Sequence, residues 1–363
     1  MKYLFHSLVL LSTALSAETV SFNPSSMSAG NSPISIRLAD FNGDGLLDVA
    51  VINGDGSGTV TVLLNMGDGG FSEPLVSVTG GLGAWVMTVG DFNHDGKNDL
   101  AVVNNITNNV SILLGNGDGT FRIGSYAPVG QGPVAVAEAD FNHDGNVDLA
   151  VVNSLTGDVS ILLGKRDGSF QAGPSISVGS APTSVAAADF NGDGIPDLAI
   201  TNGVLGQQLV YIFLGNGDGT FRSAGTVTVG YEPFSLVARD LNHDGNIDLA
   251  VANLVSNSIS VALGNGDGTF RVPVSYSAGN GPVAIKAGSF AHPGSTDLAA
   301  CADVSAAILV YVGKGDGTFR APLPQPTGDP CNSLAVGDLF QTGKMDIVAA
   351  TTSGLVLFSN TSN

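Results

Sequence analysis

Positive charge is what this sequence has least of. Of 363 residues, 13 are Lys or Arg against 32 Asp or Glu, and the formal net charge is −19. A protein that grips a bare nucleic-acid backbone presents a basic face, so nucleic acid is excluded as an expected partner. Charge of either sign is sparse, at 12%, while apolar residues reach 43%. That excludes a disordered chain and leaves ample material for a core. Long apolar runs are missing. Beyond the first residues, Gly, Asn or Asp cuts every run within about ten residues, well short of a membrane-spanning helix. Histidine is rare, at five, and no Gly-x-Ser-x-Gly, His-Glu-x-x-His or phosphate-loop pattern occurs. With no nucleophile and base in sight, the chain is not expected to be an enzyme. There is one Trp and there are six Tyr, few for the aromatic platforms on which sugars stack. The two cysteines, Cys301 and Cys331, leave a disulfide and two buried thiols equally open.

What is present is glycine, 50 residues of it, much of it in turn signals, as suits short strands and tight reversals. The start reads as an export leader. Lys2 supplies the positive end, Leu8 to Leu15 a short apolar stretch, and Ala14-Leu15-Ser16-Ala17 a small-residue cleavage site. Residues 1–17 are therefore assigned to a signal peptide and 18–363 to the mature, secreted domain.

That domain is a repeat. DFNGDGLLD begins at Asp40, DFNHDGKND at Asp91, DFNHDGNVD at Asp140, DFNGDGIPD at Asp189 and DLNHDGNID at Asp240. Weaker copies, SFAHPGSTD and DLFQTGKMD, begin at Ser289 and Asp338, and successive starts lie 51, 49, 49, 51, 49 and 49 residues apart. Each unit has an extended run before the loop, often opened by Pro (Pro33, Pro133, Pro182, Pro233, Pro282). A β-branched run such as Leu-Ala-Val-Val follows the loop, then a third strand such as Val110–Leu114, a GNGDGTF turn and a fourth extended stretch. Four short strands in a period near 50 predict an all-β, seven-bladed propeller with four antiparallel strands per blade.

In the first strand, apolar residues at −4 and −6 from the loop's first Asp alternate with small ones at −3 and −5. The small face is expected to crowd the central axis and the apolar face to pack into the blade. The last unit stops after its third strand, so the segment from Thr19 to Phe22 is expected to supply the seventh blade's outer strand and close the ring.

Fifteen of the 32 acidic residues lie in the five intact loops. The pattern D-x-N-x-D-G-x-x-D sets side-chain oxygens at positions 1, 3, 5 and 9, with Gly at 6 for the φ > 0 turn and the position-7 carbonyl as a further ligand by the logic of an EF-hand loop. The expected ligands are Asp40, Asn42, Asp44, Leu46 and Asp48 in the first loop. Asp91, Asn93, Asp95, Lys97 and Asp99 follow in the second, and Asp140, Asn142, Asp144, Asn146 and Asp148 in the third. Asp189, Asn191, Asp193, Ile195 and Asp197 form the fourth set, and Asp240, Asn242, Asp244, Asn246 and Asp248 the fifth. Three carboxylates in an all-oxygen set favour Ca2+, about five ions in all. The flanks are strands and position 12 has no Glu, so these are not EF-hands. The sixth loop, with Ser289, Ala291 and Pro293 at ligand positions, is expected to be empty, and the seventh, with Phe340 and Thr342, to bind weakly or not at all. All seven keep the Gly and the last Asp, which are therefore expected to shape the turn as well.

On these loops and this period the chain resembles the FG-GAP/VCBS repeat family, found in the propellers of integrin α-subunits and in many secreted microbial proteins. The resemblance covers essentially all of the mature chain. It implies a seven-bladed propeller with calcium between the first and second strands, and a tendency toward adhesion and ligand binding.

The later Asp-Gly pairs, such as Asp118-Gly119, read as hairpin turns. His94, His143, His243 and His292, at position 4 or its equivalent, are expected to point to solvent, with a pH-sensitive rim contact as the sharper alternative. Arg37, Glu138, Arg239 and Lys286 interrupt the inner strands, either paired to neighbouring blades or lining a channel pocket, and Trp85 belongs to the channel mouth or to the core. The expected function is an extracellular, calcium-stabilised binding or adhesion module, monomeric, whose partner is a protein or a glycan. A lectin is the alternative, and a polysaccharide-degrading enzyme a third reading.

Overall fold

Twenty-eight strands form seven four-stranded antiparallel sheets, and no helix occurs among the described residues. The computed structural model describes residues 20–362 apart from 31 and 205. The expected leader, 1–17, lies outside the described residues. Within blades one to six the strands run in chain order from axis to rim. Blade three shows the pattern, with β10 (Pro133–Ala139) innermost, then β11 (Asp148–Asn153), β12 (Asp158–Gly164) and β13 (Phe170–Ser177). The expected opening prolines are the first residues of their inner strands in blades one, three, four, five and six.

The second strand of every blade is buried along its whole length; in blade three it reads Asp-Leu-Ala-Val-Val-Asn. Both its faces are covered because the blades stack face to face. Seven apolar clusters result, one at each interface: Val152 and Ile161 of blade three, for example, meet Leu198 and Ile200 of blade four. Each fully buried Val, Leu or Ile contributes about 1.5–3 kcal/mol relative to exposure, so the ring is held by its interfaces.

This corrects the expected division of the inner strand into a blade face and an axis face. Ala135 and Ala137 pack toward blade four and Val136 toward blade two. At its mouth the axis instead receives the residues released by a bulge. Every inner strand slips register after its first residue, as between Pro33 and Ser35 or Pro133 and Ala135. The extra residue, position −6, is thereby turned out of the pleat. Ile34, Trp85, Val134, Thr183, Phe234, Val283 and Asn332, one from each blade, ring the channel mouth. Trp85 is 48% exposed there, not in the core.

The ends close as anticipated, with shifted limits. The outer strand of blade seven is β1 (Phe22–Met27), paired to β28 (Gly354–Asn360) from Phe22↔Asn360 to Met27↔Leu355. It starts at Phe22 where Thr19–Phe22 was expected, because the Phe of the GDGTF turn opens an outer strand and does not end one: Phe121, Phe170 and Phe221 open theirs. The Thr361 amide donates to the Ser21 carbonyl at 2.9 Å beyond the ladder. Of the two alternatives for the cysteines the disulfide is realised: Cys301 in blade six is bonded to Cys331, the first residue of blade seven's inner strand.

Candidate metal centres

Each intact loop leaves an inner strand and returns as the fully buried second strand. Its path is written by its own side chains. In the third loop the Asp140 carboxylate accepts the amides of Asp144 (3.1 Å) and Gly145 (2.8 Å). Asn142 Oδ1 accepts the Asp144 amide at 3.0 Å, and Asp144 Oδ1 the Asn146 amide at 2.8 Å. Successive side chains at positions 1, 3 and 5 thus cap the amides ahead of them and wind the chain into a coil. Two residues take positive φ, where position 6 alone was expected: position 6 is Gly throughout, and position 4 is Gly or His in the intact loops, as at Gly43 (79°) and His143 (57°). His and Gly tolerate the left-handed region that most residues avoid.

Position 9 does something different. Asp48, Asp99, Asp148, Asp197 and Asp248 are buried. One carboxylate oxygen accepts the amide of loop position 2, and the other the amide at the end of the third strand. In blade three these are Phe141 (2.9 Å) and Gly164 (2.7 Å). Asp297 and Asp346 make the same two bonds in blade six, which lacks the other side-chain ligands, and in blade seven, which keeps only Asp338 of them. The last Asp is therefore a clamp between loop and hairpin in all seven blades. The chain approaches so closely here that a Cβ on Gly164 would lie 2.2 Å from the Val147 carbonyl oxygen. Desolvation pushes Asp48, Asp99, Asp148 and Asp248 up to about 6, against the pull of the two amides; the charges at positions 5 and 1 add to the rise.

The donor set fits a hard divalent cation in its chemistry: three carboxylates, an amide oxygen and a carbonyl, with no nitrogen or sulfur. In all five loops the position-3 amide N–H lies against the position-5 carboxylate, at 2.8 to 3.1 Å. A cation at the loop would take over that partner. Among the described residues no three acidic, His or Cys side chains converge as a ready-made ligand cluster. Blades six and seven show how a loop closes on its own hydrogen bonds. Ser289 donates to the Ser295 carbonyl at 2.6 Å, and the Ser295 hydroxyl donates to Asp297 at 2.7 Å. In the seventh loop Asp338 accepts the amides of Thr342 and Gly343 at 2.8 and 2.7 Å.

A family model described as FG-GAP-like repeat matches residues 40–102, 91–151, 140–200 and 202–251, more than half of the chain. The chain belongs to that family. No curated protein matches it. Solved structures share the FG-GAP chain's propeller at low identity. Virginiamycin B lyase from Staphylococcus aureus is 13% identical with a TM-score of 0.64, over 93% of this chain and 99% of that one. BBS1N, solved in complex with ARL6DN, is 13% identical with a TM-score of 0.64, over 93% and 95%. An Agrocybe aegerita lectin that recognises non-reducing terminal N-acetylglucosamine is 18% identical with a TM-score of 0.57, over 90% and 87%.

Two features of the FG-GAP loop escaped the sequence reading. The Phe at position 2 packs edge-on against the Phe that follows the next blade's Asp-Gly turn: Phe41 on Phe121, Phe92 on Phe170, Phe141 on Phe221, Phe190 on Phe270. Phe290 on Phe22 repeats it across the chain ends. The signal was the recurrence of DF in the first four loops and of a Phe after the Asp-Gly turn in the first six units. The second is the partner of position 4, a residue read as solvated or as a rim contact. His94 Nε2 lies 3.0 Å from Asn146 Oδ1 of the next blade's loop, His243 Nε2 3.3 Å from Thr296 Oγ1, and Gln341 Nε2 donates to the Gly45 carbonyl at 3.1 Å. The loops are thereby tied sideways. The Asp-Gly hairpin turns behave as read, with Asp118 accepting both the amide and the hydroxyl of Thr120, which lowers its carboxyl.

Proposed function

We infer that this FG-GAP propeller is a secreted binding module whose loops in blades one to five hold about five calcium ions. The observation that carries the reading is the contrast within one ring. Five loops keep three carboxylates and an Asn in the same order, while the sixth keeps only the last Asp and closes on the hydroxyls of Ser289 and Ser295. A protein that needed only a turn has that cheaper solution at hand. Calcium bound to the folded state alone contributes about 2.7 kcal/mol per site at a hundredfold excess over Kd, so several sites rival the roughly 5–15 kcal/mol net stability of a domain. The role is structural and the partner, a protein or a glycan, binds the outer surface. Thermal unfolding in excess calcium and in excess chelator tests it: a large drop in midpoint on chelation supports the reading, and an unchanged midpoint after verified metal removal refutes it.

A glycan is favoured as the alternative ligand by a groove of about 650 Å³ between blades four and five, lined by Thr226, Thr228, Ser258, Ser260 and Arg271, with Val272 on its edge. The lectin noted above shares the fold. Binding on a glycan array that is lost in Arg271→Ala supports this version; an array blank in calcium removes it. A polysaccharide-degrading activity is the third reading, and among the described residues no acid–base pair away from the loops carries it.

A further inference from the structure

Three of the charged residues on the inner strands lie within electrostatic reach of one another. Arg37 stands on β2 (Pro33–Ala39) of blade one, Glu138 on β10 of blade three and Lys286 on β22 (Pro282–Gly288) of blade six. Inner strands touch in ring order, and no two of these blades are neighbours. Yet Glu138 acts electrostatically on both Arg37 and Lys286, and Arg37 on Lys286. Charges on non-adjacent blades meet only across the axis, so the three share one chamber of the central channel.

That chamber is unbalanced. Two cations stand against one carboxylate, and the carboxylate already accepts the Thr88 hydroxyl. The Arg37 guanidinium donates to the neighbouring Ile36 carbonyl at 2.8 Å, and no hydrogen bond to a described residue holds the Lys286 ammonium. Desolvation brings Lys286 down to about 8, with Arg37 lowering it further and Glu138 opposing. One positive charge is left uncompensated inside a chain of net charge −19. Chain-wide charge therefore does not explain it, whereas an anionic guest does. Three residues toward the start of the same strands, the bulge ring encloses a cavity of about 360 Å³ with Ile34, Trp85, Val134, Phe234 and Val283 in its wall. An apolar wall with a few polar groups beyond it is the make-up of a small-molecule site.

We propose that the central channel binds a medium-chain organic carboxylate, its apolar body against Trp85 and Phe234 in the mouth and its head at Arg37 and Lys286. At about 3.3 Å per residue, three residues of strand separate mouth from charges by roughly 10 Å, the length of a chain of about six to eight carbons. The guanidinium offers the paired donors a carboxylate prefers. The mouth lies at the opposite end of the inner strands from the loops, whereas Arg37 and Lys286 stand three residues before theirs; the proposal does not rest on the calcium reading.

Trp85 is the only tryptophan, so its emission reports on the mouth. The calcium-loaded full chain is titrated with octanoate, with octan-1-ol and with acetate. Saturable change with octanoate is expected, at least tenfold tighter than with the alcohol, which lacks the head, or with acetate, which lacks the body. Lys286→Met and Arg37→Met each weaken octanoate about tenfold or more while the melting midpoint holds. Should Arg37→Met fail to fold, Lys286→Gln and the three probes on the unaltered chain decide. No saturation with octanoate at millimolar concentration overturns the proposal. So does octanol binding as tightly as octanoate, or octanoate affinity unchanged in a folded Lys286→Met.

Discussion

Asp297 offers the cleanest view of the position-9 clamp, because its loop has no other metal-type ligands. Its Oδ2 accepts the amides of Phe290 and Ala291, both at 2.8 Å, and the Ser295 hydroxyl at 2.7 Å; its Oδ1 accepts the Gly313 amide at 2.9 Å. Asp297→Asn keeps shape and volume but has one carbonyl oxygen. Turned toward the three donors, it presents its own N–H to the Gly313 amide. The variant loses a hydrogen bond to a charged acceptor and strands a buried N–H, and the remaining bonds become neutral. Together these cost about 2–4 kcal/mol. Urea unfolding followed by circular dichroism reads the loss as a shift in midpoint at unchanged slope. The loss should be the same in calcium and in chelator, since the sixth loop is expected to hold no ion. Asp148→Asn should show a comparable loss in chelator and a greater one in calcium. A change below about 0.5 kcal/mol in Asp297→Asn, within the range of ordinary surface substitutions, would refute the clamp. A loss seen only with calcium would refute it too.

Two further expectations follow from the same geometry. Asp48, Asp99, Asp148 and Asp248 titrate near 6 in the folded state against an ordinary value of 3.8. The native protein thus binds more protons than the unfolded chain between about pH 4 and 6, and its stability falls as pH rises through that window. The calcium-depleted protein should therefore have a higher urea midpoint at pH 5 than at pH 7, and calcium, which favours the ionised form, should shrink the difference; a higher midpoint at pH 7 in depleted protein would be the contrary result. Cys301 and Cys331 are 30 residues apart, so replacing both with Ala should cost about 3–4 kcal/mol by the loop-entropy relation, measured by urea unfolding, with an unchanged midpoint contradicting a stabilising clip between blades six and seven.

The ring was legible because it is repetitive. A period near 50, Pro at strand starts and a truncated last unit were enough for seven blades and for closure by the N-terminus. The fate of a residue inside a repeat was harder to read. Parity placed Ile34 with Ile36, but the bulge after Pro33 sends Ile34 to the channel and leaves Ile36 in an interface. A bulge has no sequence signature here beyond the Pro, which five of the seven blades have. The partners of Phe41 and His94 lie in the next blade, about 50–80 residues on, and a pattern read unit by unit does not show what unit n touches in unit n+1. Position 9 was read first as a ligand because its residue type suits one. Its persistence in the two degenerate loops was the clue that it also holds the turn, and burial of both oxygens against amides gives that clue a cause. Arg37, Glu138 and Lys286 looked like isolated exceptions because they are a hundred or more residues apart, and only ring closure brings them into one chamber.

The direct measurement of the calcium account is a count. Native mass spectrometry of the mature chain in excess calcium should show about five bound ions, one for each loop that keeps its three carboxylates and Asn, and Asp144→Ala should show one fewer. Seven ions would mean that the clamp Asp and the loop backbone suffice without the side chains at positions 1, 3 and 5, and none would mean that the coils wound by Asp140, Asn142 and Asp144 and their counterparts are turns and nothing more.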